Sequence, residues 1–146
     1  MIDRSWIGKS FLALTVDVEK GQLKFFAKAV GENNPIYTDE DCAKAAGYRS
    51  LPAPPTFTFS LKLASPDPFG NYNSMGIDLN RVLHGGQKFE YLAPICAGDS
   101  ITLMTTVKDI YEKKGGALEF VEEETVAANQ NGEIVARLLN TLVVRN

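Results

Sequence analysis

From Val82 onward the chain alternates apolar and polar residues in stretches separated by short, glycine-bearing turns. Phe89 and Tyr91 flank Glu90. Ile101, Leu103, Thr105 and Val107 fall on alternate positions, and Leu118, Phe120 and Val126 continue the pattern. A period of two puts one set of side chains on a single face of a strand. The interruptions are Ala97-Gly98-Asp99, Gly115-Gly116 and Asn131-Gly132. Asn-Gly in particular supplies the positive φ values of a tight hairpin. Strands joined by such short connections must run antiparallel. Residues 134–144 are apolar on both faces in places, which predicts a last strand with a neighbour on each side. The second half therefore specifies an antiparallel meander.

The first half follows another rule. Residues 11–16 read as a short strand. Leu23, Phe26, Ala27 and Val30 then recur at i, i+3, i+4 and i+7, the stripe of an amphipathic helix. Asp17 is its expected N-cap, and Gly31 stands where a helix ends in the left-handed conformation. Gly21 weakens the first turn. Thr38 reads as the cap of a second, short helix with Asp39, Glu40 and Asp41 in its first turn, where the helix dipole favours acids. Cys42, Ala43, Ala45 and Ala46 give it a small-residue face, and Gly47 ends it. Pro52-Ala53-Pro54-Pro55 is extended, because a proline disfavours helix in the residue before it. Pro55 suits the first position of a helix over residues 56–64. That helix is apolar on most sides, with Lys62 its one charge, and is expected to be buried. Pro66 and Pro68 stop it. Residues 65–81 form a long polar loop with Phe69, Tyr72 and Met75 as anchors, a length that suggests a functional or covering segment. Helices packed against one face of an antiparallel sheet define an α+β class.

Composition narrows the function. The 146 residues fit one domain spanning positions 1–146, with 45% hydrophobic and 23% charged residues, as in ordinary soluble proteins. A net charge of −3 without a basic cluster argues against a nucleic-acid partner. No apolar run approaches the ~20 residues of a membrane span. Met1-Ile2-Asp3-Arg4-Ser5-Trp6 does not read as a signal peptide, so the expected location is cytoplasmic, with no membrane partner. Cys42 and Cys96 lack metal-site spacing; a disulfide between them stays open. The run Glu122-Glu123-Glu124 reads as a solvated strand face. No zinc motif, phosphate-binding loop or nucleophile elbow is present, and no metal site is expected.

The chemistry-bearing segment is Gly31-Glu32-Asn33-Asn34-Pro35-Ile36-Tyr37, directly after the amphipathic helix. It resembles the G-D-x-N-P-x-H signature of the MaoC-like hydratases and dehydratases. In that family the aspartate and histidine act together on a water and on the α-carbon of an enoyl thioester, a base poised near neutrality beside a proton donor. Gly31, Asn34 and Pro35 match. Glu32 stands in place of the aspartate and Tyr37 in place of the histidine, so these are the two catalytic positions in altered form. Glu32 is one methylene longer, and a misplacement of ~1 Å is costly in catalysis. A tyrosine titrates near ~10, so Tyr37 donates a hydrogen bond but does not take and return protons at neutral pH. The resemblance thus implies an inherited site loop without ordinary catalysis by this chain alone. The alternative reading of the bare residues is a helix-ending turn held by Asn34 and Pro35.

Two further segments extend the resemblance. Pro54-Pro55-Thr56-Phe57 matches the start of the central helix, whose backbone N–H groups point at the thioester carbonyl in such enzymes. Prolines have no N–H, so Thr56 and Phe57 are the first available donors; the same prolines also serve simply to start a buried helix. Leu83-His84-Gly85-Gly86-Gln87, followed by Phe89-Glu90-Tyr91, Pro94 and Ala97-Gly98-Asp99, is similar to the strand that opens the sheet in the N-terminal domains of fatty-acid-synthase-type dehydratases. Together these strings cover the chain from about residue 5 to its end. His84 is the only histidine. It reads either as a replacement acid/base group or as a residue that bonds a loop or faces a dimer partner. Gly85 and Gly86 suggest close backbone approach at a kink or bulge.

The resemblance implies a single hot-dog fold, an antiparallel sheet wrapped around a central helix. It makes Asn34, Pro55, Thr56, Phe57, His84, Gly85 and Gly86 substrate-binding positions. The ligand implied is an acyl-CoA or acyl-ACP thioester, and addition of water next to a thioester needs no cofactor. Members of this branch often pair a chain that keeps the Asp/His couple with one that lacks the histidine and shapes the acyl channel; this sequence resembles the second kind. The implied assembly is a heterodimer with a catalytic MaoC-like chain, or a homodimer. The alternatives are a self-sufficient hydratase using Glu32 with Tyr37 or His84, and a non-catalytic acyl-CoA-binding homodimer. Whether the chain is itself an enzyme is left open by the substitution at Tyr37.

Overall fold

Three long strands, β3 (Ser100–Lys113), β4 (Leu118–Ala128) and β5 (Ile134–Arg145), form the meander that the alternation and glycine turns require. The computed structural model describes residues 1–146. Two shorter strands complete the sheet: β1 (Leu14–Asp17) pairs with β3, and β2 (Val82–Tyr91) pairs with β5, giving the antiparallel order β1-β3-β4-β5-β2. The expected meander from Val82 onward therefore fails at its first step: the stretch through Ala97-Gly98-Asp99 is a crossover, not a hairpin, and β2 and β3 are not neighbours. β5 therefore lies between two neighbours, as its two-sided apolar pattern predicts. The Gly115-Gly116 and Asn131-Gly132 turns carry positive φ at all three glycines. At the second turn the Asn129 side chain accepts hydrogen bonds from the N–H groups of Asn131 and Glu133.

Register decides which face of each strand is buried. Ile101, Leu103, Thr105 and Val107 turn inward along β3. Their partners across the ladder are Ala127 for Leu103, Thr125 for Thr105 and Glu123 for Val107. Residues directly opposite one another share a face. The inward face of β4 is consequently Glu119, Val121, Glu123, Thr125 and Ala127, while Leu118, Phe120 and Val126 are half-buried on the outer face. The expectation of a solvated acidic run fails at its centre: Glu123 is only 1% exposed.

The helices cover this inward face. Helix α1 (Lys20–Ala29) buries Leu23 and Ala27 completely, with Phe26 beside them. Its N-cap is Glu19, which makes no side-chain cap bond; Asp17 belongs instead to β1, opposite Ser100. Gly31 has the expected left-handed φ of 74°. In α2 (Glu40–Ala45) the cap is Asp39 rather than Thr38, and its carboxylate accepts the Cys42 N–H at 2.9 Å. The first strand is shorter than expected; Ser10 makes only an isolated bridge to Thr106.

The central helix, α3 (Phe57–Lys62), is trimmed at both ends relative to the stretch 56–64. Thr56 adopts a left-handed φ of 73°, which breaks the helical path after the prolines, so Pro55 lies in the turn before α3 and does not open the helix as expected. At the other end the Leu63 and Ala64 N–H groups bond to Ser60 and Leu61, tightening the last turn. Phe57, Thr58 and Leu61 are buried against the sheet. The stretch 65–81 is not a bare loop. It holds a short helix, α4 (Gly70–Ser74), and a 3-10 turn at Leu79–Arg81. Its firmest anchors are Met75 and Ile77, both buried, whereas Phe69 is largely exposed. Both cysteines are free thiols, and no helix is long and apolar enough to cross a membrane.

One buried carboxylate ties these layers together. Asp99 accepts from both guanidinium nitrogens of Arg49, at 2.8 and 3.0 Å, from the Cys96 N–H and from the Gln130 amide. Burial alone would raise its pKa, but these donors outweigh that effect and hold the carboxyl below the ordinary carboxylate value. A depressed folded-state pKa adds stability above the unfolded value and loses it as pH falls through the folded one. Urea midpoints should therefore fall as pH drops below about 4, and Asp99→Asn should flatten that dependence while lowering stability at neutral pH. Separately, Leu61→Ala should cost roughly 2–5 kcal/mol by urea unfolding, because the cavity lies between helix and sheet and cannot collapse fully.

Candidate functional site

Helix α1 ends at Gly31, and the next residues fold back on themselves. The Asn34 N–H donates to Glu32 Oε1 at 2.9 Å, and Asn34 Oδ1 accepts from the Ile36 N–H at 3.2 Å. Asn34 thereby caps a 3-10 turn, Pro35–Tyr37, that swings the Tyr37 side chain inward. The Asn-Pro pair therefore has a local structural role of its own: it sets the direction of Tyr37.

Tyr37 lines a cavity of about 400 Å³ with Tyr48, Pro55, Thr58, Tyr91 and Ile95. These come from five separate stretches: the post-α1 turn, the segment after α2, the start of α3, the end of β2 and the segment that follows it. No carboxylate, histidine or lysine lines it. The Tyr37 phenol is raised above its ordinary pKa, first by burial and then by the negative charge of Glu32 and the neighbouring phenols of Tyr48 and Tyr91. It is held as a protonated hydrogen-bond donor.

The start of α3 is already engaged. The Thr56 N–H donates to the Tyr91 hydroxyl at 2.7 Å, and the Phe57 N–H donates to the Pro54 carbonyl at 3.1 Å. Because the Tyr91 oxygen accepts from Thr56, its own O–H remains to donate elsewhere, and a donor that is itself hydrogen-bonded is strengthened. The polarity of the Thr56 N–H can thus be passed on through a phenol.

The candidate residues separate into groups. Tyr37 and Pro55 line one cavity, with Thr56 joined to it through Tyr91. Glu32 lies next to this group, close enough for its charge to act on Tyr37, but does not line the cavity. Phe57 turns the other way and packs edge-on against Phe26, with ring centroids 5.3 Å apart. His84 lines a different cavity, its ring 5.9 Å from that of Phe59. Gly85 sits at a bulge between His84 and Gly86, and a Cβ there would lie 2.6 Å from Val143 Cγ2. Gly86 has room for a Cβ beside Thr141. Sequence reasoning did not single out Tyr48, Thr58 or Tyr91 as lining the cavity, since only tertiary packing brings them there. No cluster of three His, Cys, Asp or Glu side chains is close enough to hold a metal ion.

The family whose description is "FAS1-like, dehydratase domain region" matches residues 5–138. The chain belongs to this FAS1-like dehydratase family. A UPF0336 protein of Streptomyces avermitilis is 36% identical over 145 residues, covering 99% of this chain and 95% of the relative. One from Thermobifida fusca is 35% identical over 145 residues, covering 99% and 94%. Among solved structures, the HadBC (3R-hydroxyacyl-ACP dehydratase) complex of Mycobacterium tuberculosis is similar with a TM-score of 0.79 and 26% identity, over 94% of this chain and 96% of that one. The MaoC-like dehydratase of Rhodospirillum rubrum shares the fold, with a TM-score of 0.73 and 23% identity over 96% and 92%. This FAS1-like dehydratase-family domain thus has the α+β hot-dog fold that the HadBC complex and the MaoC-like dehydratase share.

The geometry fixes the sign of one titration. In the folded domain the Tyr37 ring should titrate above ~10 when followed by ring-carbon NMR. Glu32→Gln should bring it part of the way down, because the charge is removed while the burial remains; an unchanged midpoint would contradict the contact.

Proposed function

We propose that the chain is the acyl-thioester-binding subunit of an (R)-specific enoyl-thioester hydratase/3-hydroxyacyl dehydratase, working with a MaoC-like partner that carries the Asp/His pair. The observation that carries this reading is the cavity at the start of α3. It offers the Tyr37 and Tyr91 hydroxyls as donors but presents no carboxylate or imidazole to abstract a proton from the α-carbon. Such a site can orient a thioester carbonyl and cannot run general acid–base chemistry by itself. The likeness to a 3R-hydroxyacyl-ACP dehydratase complex supports the reaction class.

The free edge of the sheet supports a partner. β2 is bonded to β5 on one side only, and Leu83, Tyr91 and Leu92 at this edge are about half exposed. A ten-residue edge strand with unpaired backbone groups calls for cover. A second hot-dog chain, laid alongside β2, supplies it and brings its own site next to Tyr91. The carrier is CoA or acyl carrier protein, and no cofactor takes part.

The test is hydration of crotonyl-CoA and longer trans-2-enoyl thioesters. The purified chain alone should be inactive, and activity should appear on mixing or co-expression with a MaoC-like chain that has an intact G-D-x-N-P-x-H segment. In that complex Tyr91→Phe should reduce kcat/KM by about tenfold or more, the scale of one lost hydrogen bond to developing charge. Turnover by the isolated chain that disappears in Glu32→Gln would replace this reading with a self-sufficient hydratase. Thermal stabilisation by acyl-CoA without turnover in any pairing would leave a binding protein only.

A further inference from the structure

Three buried side-chain polar atoms in the molecule have no hydrogen-bond partner: Gln87 Oε1, Asn140 Oδ1 and Glu123 Oε1. All three are acceptors, and they belong to one row. Gln87 is the ladder partner of Asn140, and Asn140 is the ladder partner of Glu123, so the row crosses β2, β5 and β4 on the inward face. Random imperfections of packing would scatter such atoms and mix donors with acceptors.

The donors near this row are already used on one side of it. The Tyr72 O–H donates to Glu123 Oε2 at 3.0 Å, and Asn140 Nδ2 donates to the same oxygen at 3.2 Å and to the Tyr72 oxygen at 3.3 Å. A carboxylate only accepts, so the Asn140 amide must turn its NH2 toward Glu123 and its carbonyl away. Gln87 makes one long contact, 3.5 Å, to the Lys88 carbonyl. Glu123 is 1% and Asn140 4% exposed, so bulk water does not supply the missing donor.

Beside the row lies a cavity of about 270 Å³, which shares no residue with the Tyr37 cavity. Phe59, Phe69, Leu79, Val82 and Leu142 make its apolar walls, and Asn140, Tyr72 and His84 are its polar lining. Ligand sites commonly span ~300–1,000 Å³, so this one fits a short apolar group. The charge balance argues for a neutral group. The Lys62 ammonium lies 5.9 Å from the Phe59 ring centroid and feels the Glu123 carboxylate. A second cation entering there would meet Lys62 as well as Glu123.

We propose that the Gln87–Asn140–Glu123 row and the adjoining Phe59–Leu142 cavity form a second binding site, for an apolar chain that ends in a hydroxyl group. The chain fills the walled cavity. The hydroxyl donates its proton to the Asn140 carbonyl at the polar end, where an ether or a methyl group of equal length leaves that acceptor unpaired. The asymmetry between a satisfied and an unsatisfied buried acceptor is what gives such a site its selectivity. The site needs no thioester and no partner chain, so it stands or falls apart from the dehydratase reading.

The experiment is a titration of the full, isotope-labelled chain with 1-hexanol, pentyl methyl ether and hexylamine, followed through the side-chain amide signals of Asn140 and Gln87. The alcohol should bind at least about tenfold more tightly than the ether and should shift the Asn140 signals. Leu79→Trp, at the partly exposed rim, should abolish alcohol binding by filling the cavity without touching the polar row. Glu123→Gln should remove the preference for alcohol over ether, since an NH2 at position 123 lets the Asn140 amide turn over, pairing its carbonyl there and leaving its own NH2, which both ligand oxygens can accept from, toward the cavity. Equal binding of alcohol and ether, tighter binding of hexylamine, unchanged alcohol binding in Leu79→Trp, or no binding with a trapped water alone in the cavity would each overturn the proposal. If Glu123→Gln does not fold, the alcohol-to-ether ratio in the unmodified chain and the Leu79→Trp titration decide the matter.

Discussion

β3, β4 and β5 run 14, 11 and 12 residues and pair side by side along most of their length, with β4 between the other two. The face they turn inward is apolar over most of its length and has to be covered, because exposed apolar area is the main cost a sheet of this size would carry in water. The cover is small: a central helix of 6 residues, braced by Phe26 of α1 against Phe57. The chain reaches that helix through prolines and a left-handed Thr56, which aims the start of α3 toward the end of β2. The position of the Tyr37 cavity follows from this path. It lies where the 3-10 turn after α1, the start of α3 and the end of β2 converge.

The two cavities on either side of α3 differ in chemistry for a reason that lies in the ladder. The Tyr37 cavity collects hydroxyl donors from loops and strand ends, where phenols can bury their rings and keep one polar atom engaged. The Phe59 cavity lies over β5 and the edge strand β2, where Asn140 is carried inward by register and Tyr72 reaches in from α4. Along β5 the order is Leu138, Asn140, Leu142, and along β4 it is Thr125, Glu123, Val121, so a polar band separates two apolar clusters. Thr105 and Thr125, whose hydroxyls are 2.8 Å apart, continue that band toward β3. A polar band through a core weakens packing unless its groups are satisfied, which makes its open acceptors informative.

Family membership and the altered signature are compatible. The Gly-x-x-Asn-Pro frame is kept because it performs local work: Gly31 takes a left-handed φ, Asn34 caps the turn, and Pro35 begins it. Those roles do not depend on what occupies the last position. The turn sets where Tyr37 points, and Tyr37 brings a group that stays protonated.

By itself the sequence determined the class of fold, the β3-β4-β5 meander, a last strand with a neighbour on each side, a buried helix after the prolines and the bulge at Gly85. Each of these rests on local periodicity, on turn residues or on backbone sterics, which neighbours in the chain dictate. It also marked Glu32 and Tyr37 through the family signature. Only the tertiary structure decided the rest. Helix caps moved by one or two residues, from Asp17 to Glu19 and from Thr38 to Asp39, because capping competes with strand pairing and turn geometry. Glu123 turned inward because pairing with Val107 fixed its face, whatever its charge preferred. Tyr91 met Thr56, and His84 parted from Tyr37, through contacts between segments far apart in the chain. No pattern along one strand or helix encodes such meetings; they follow from register and from how the layers pack.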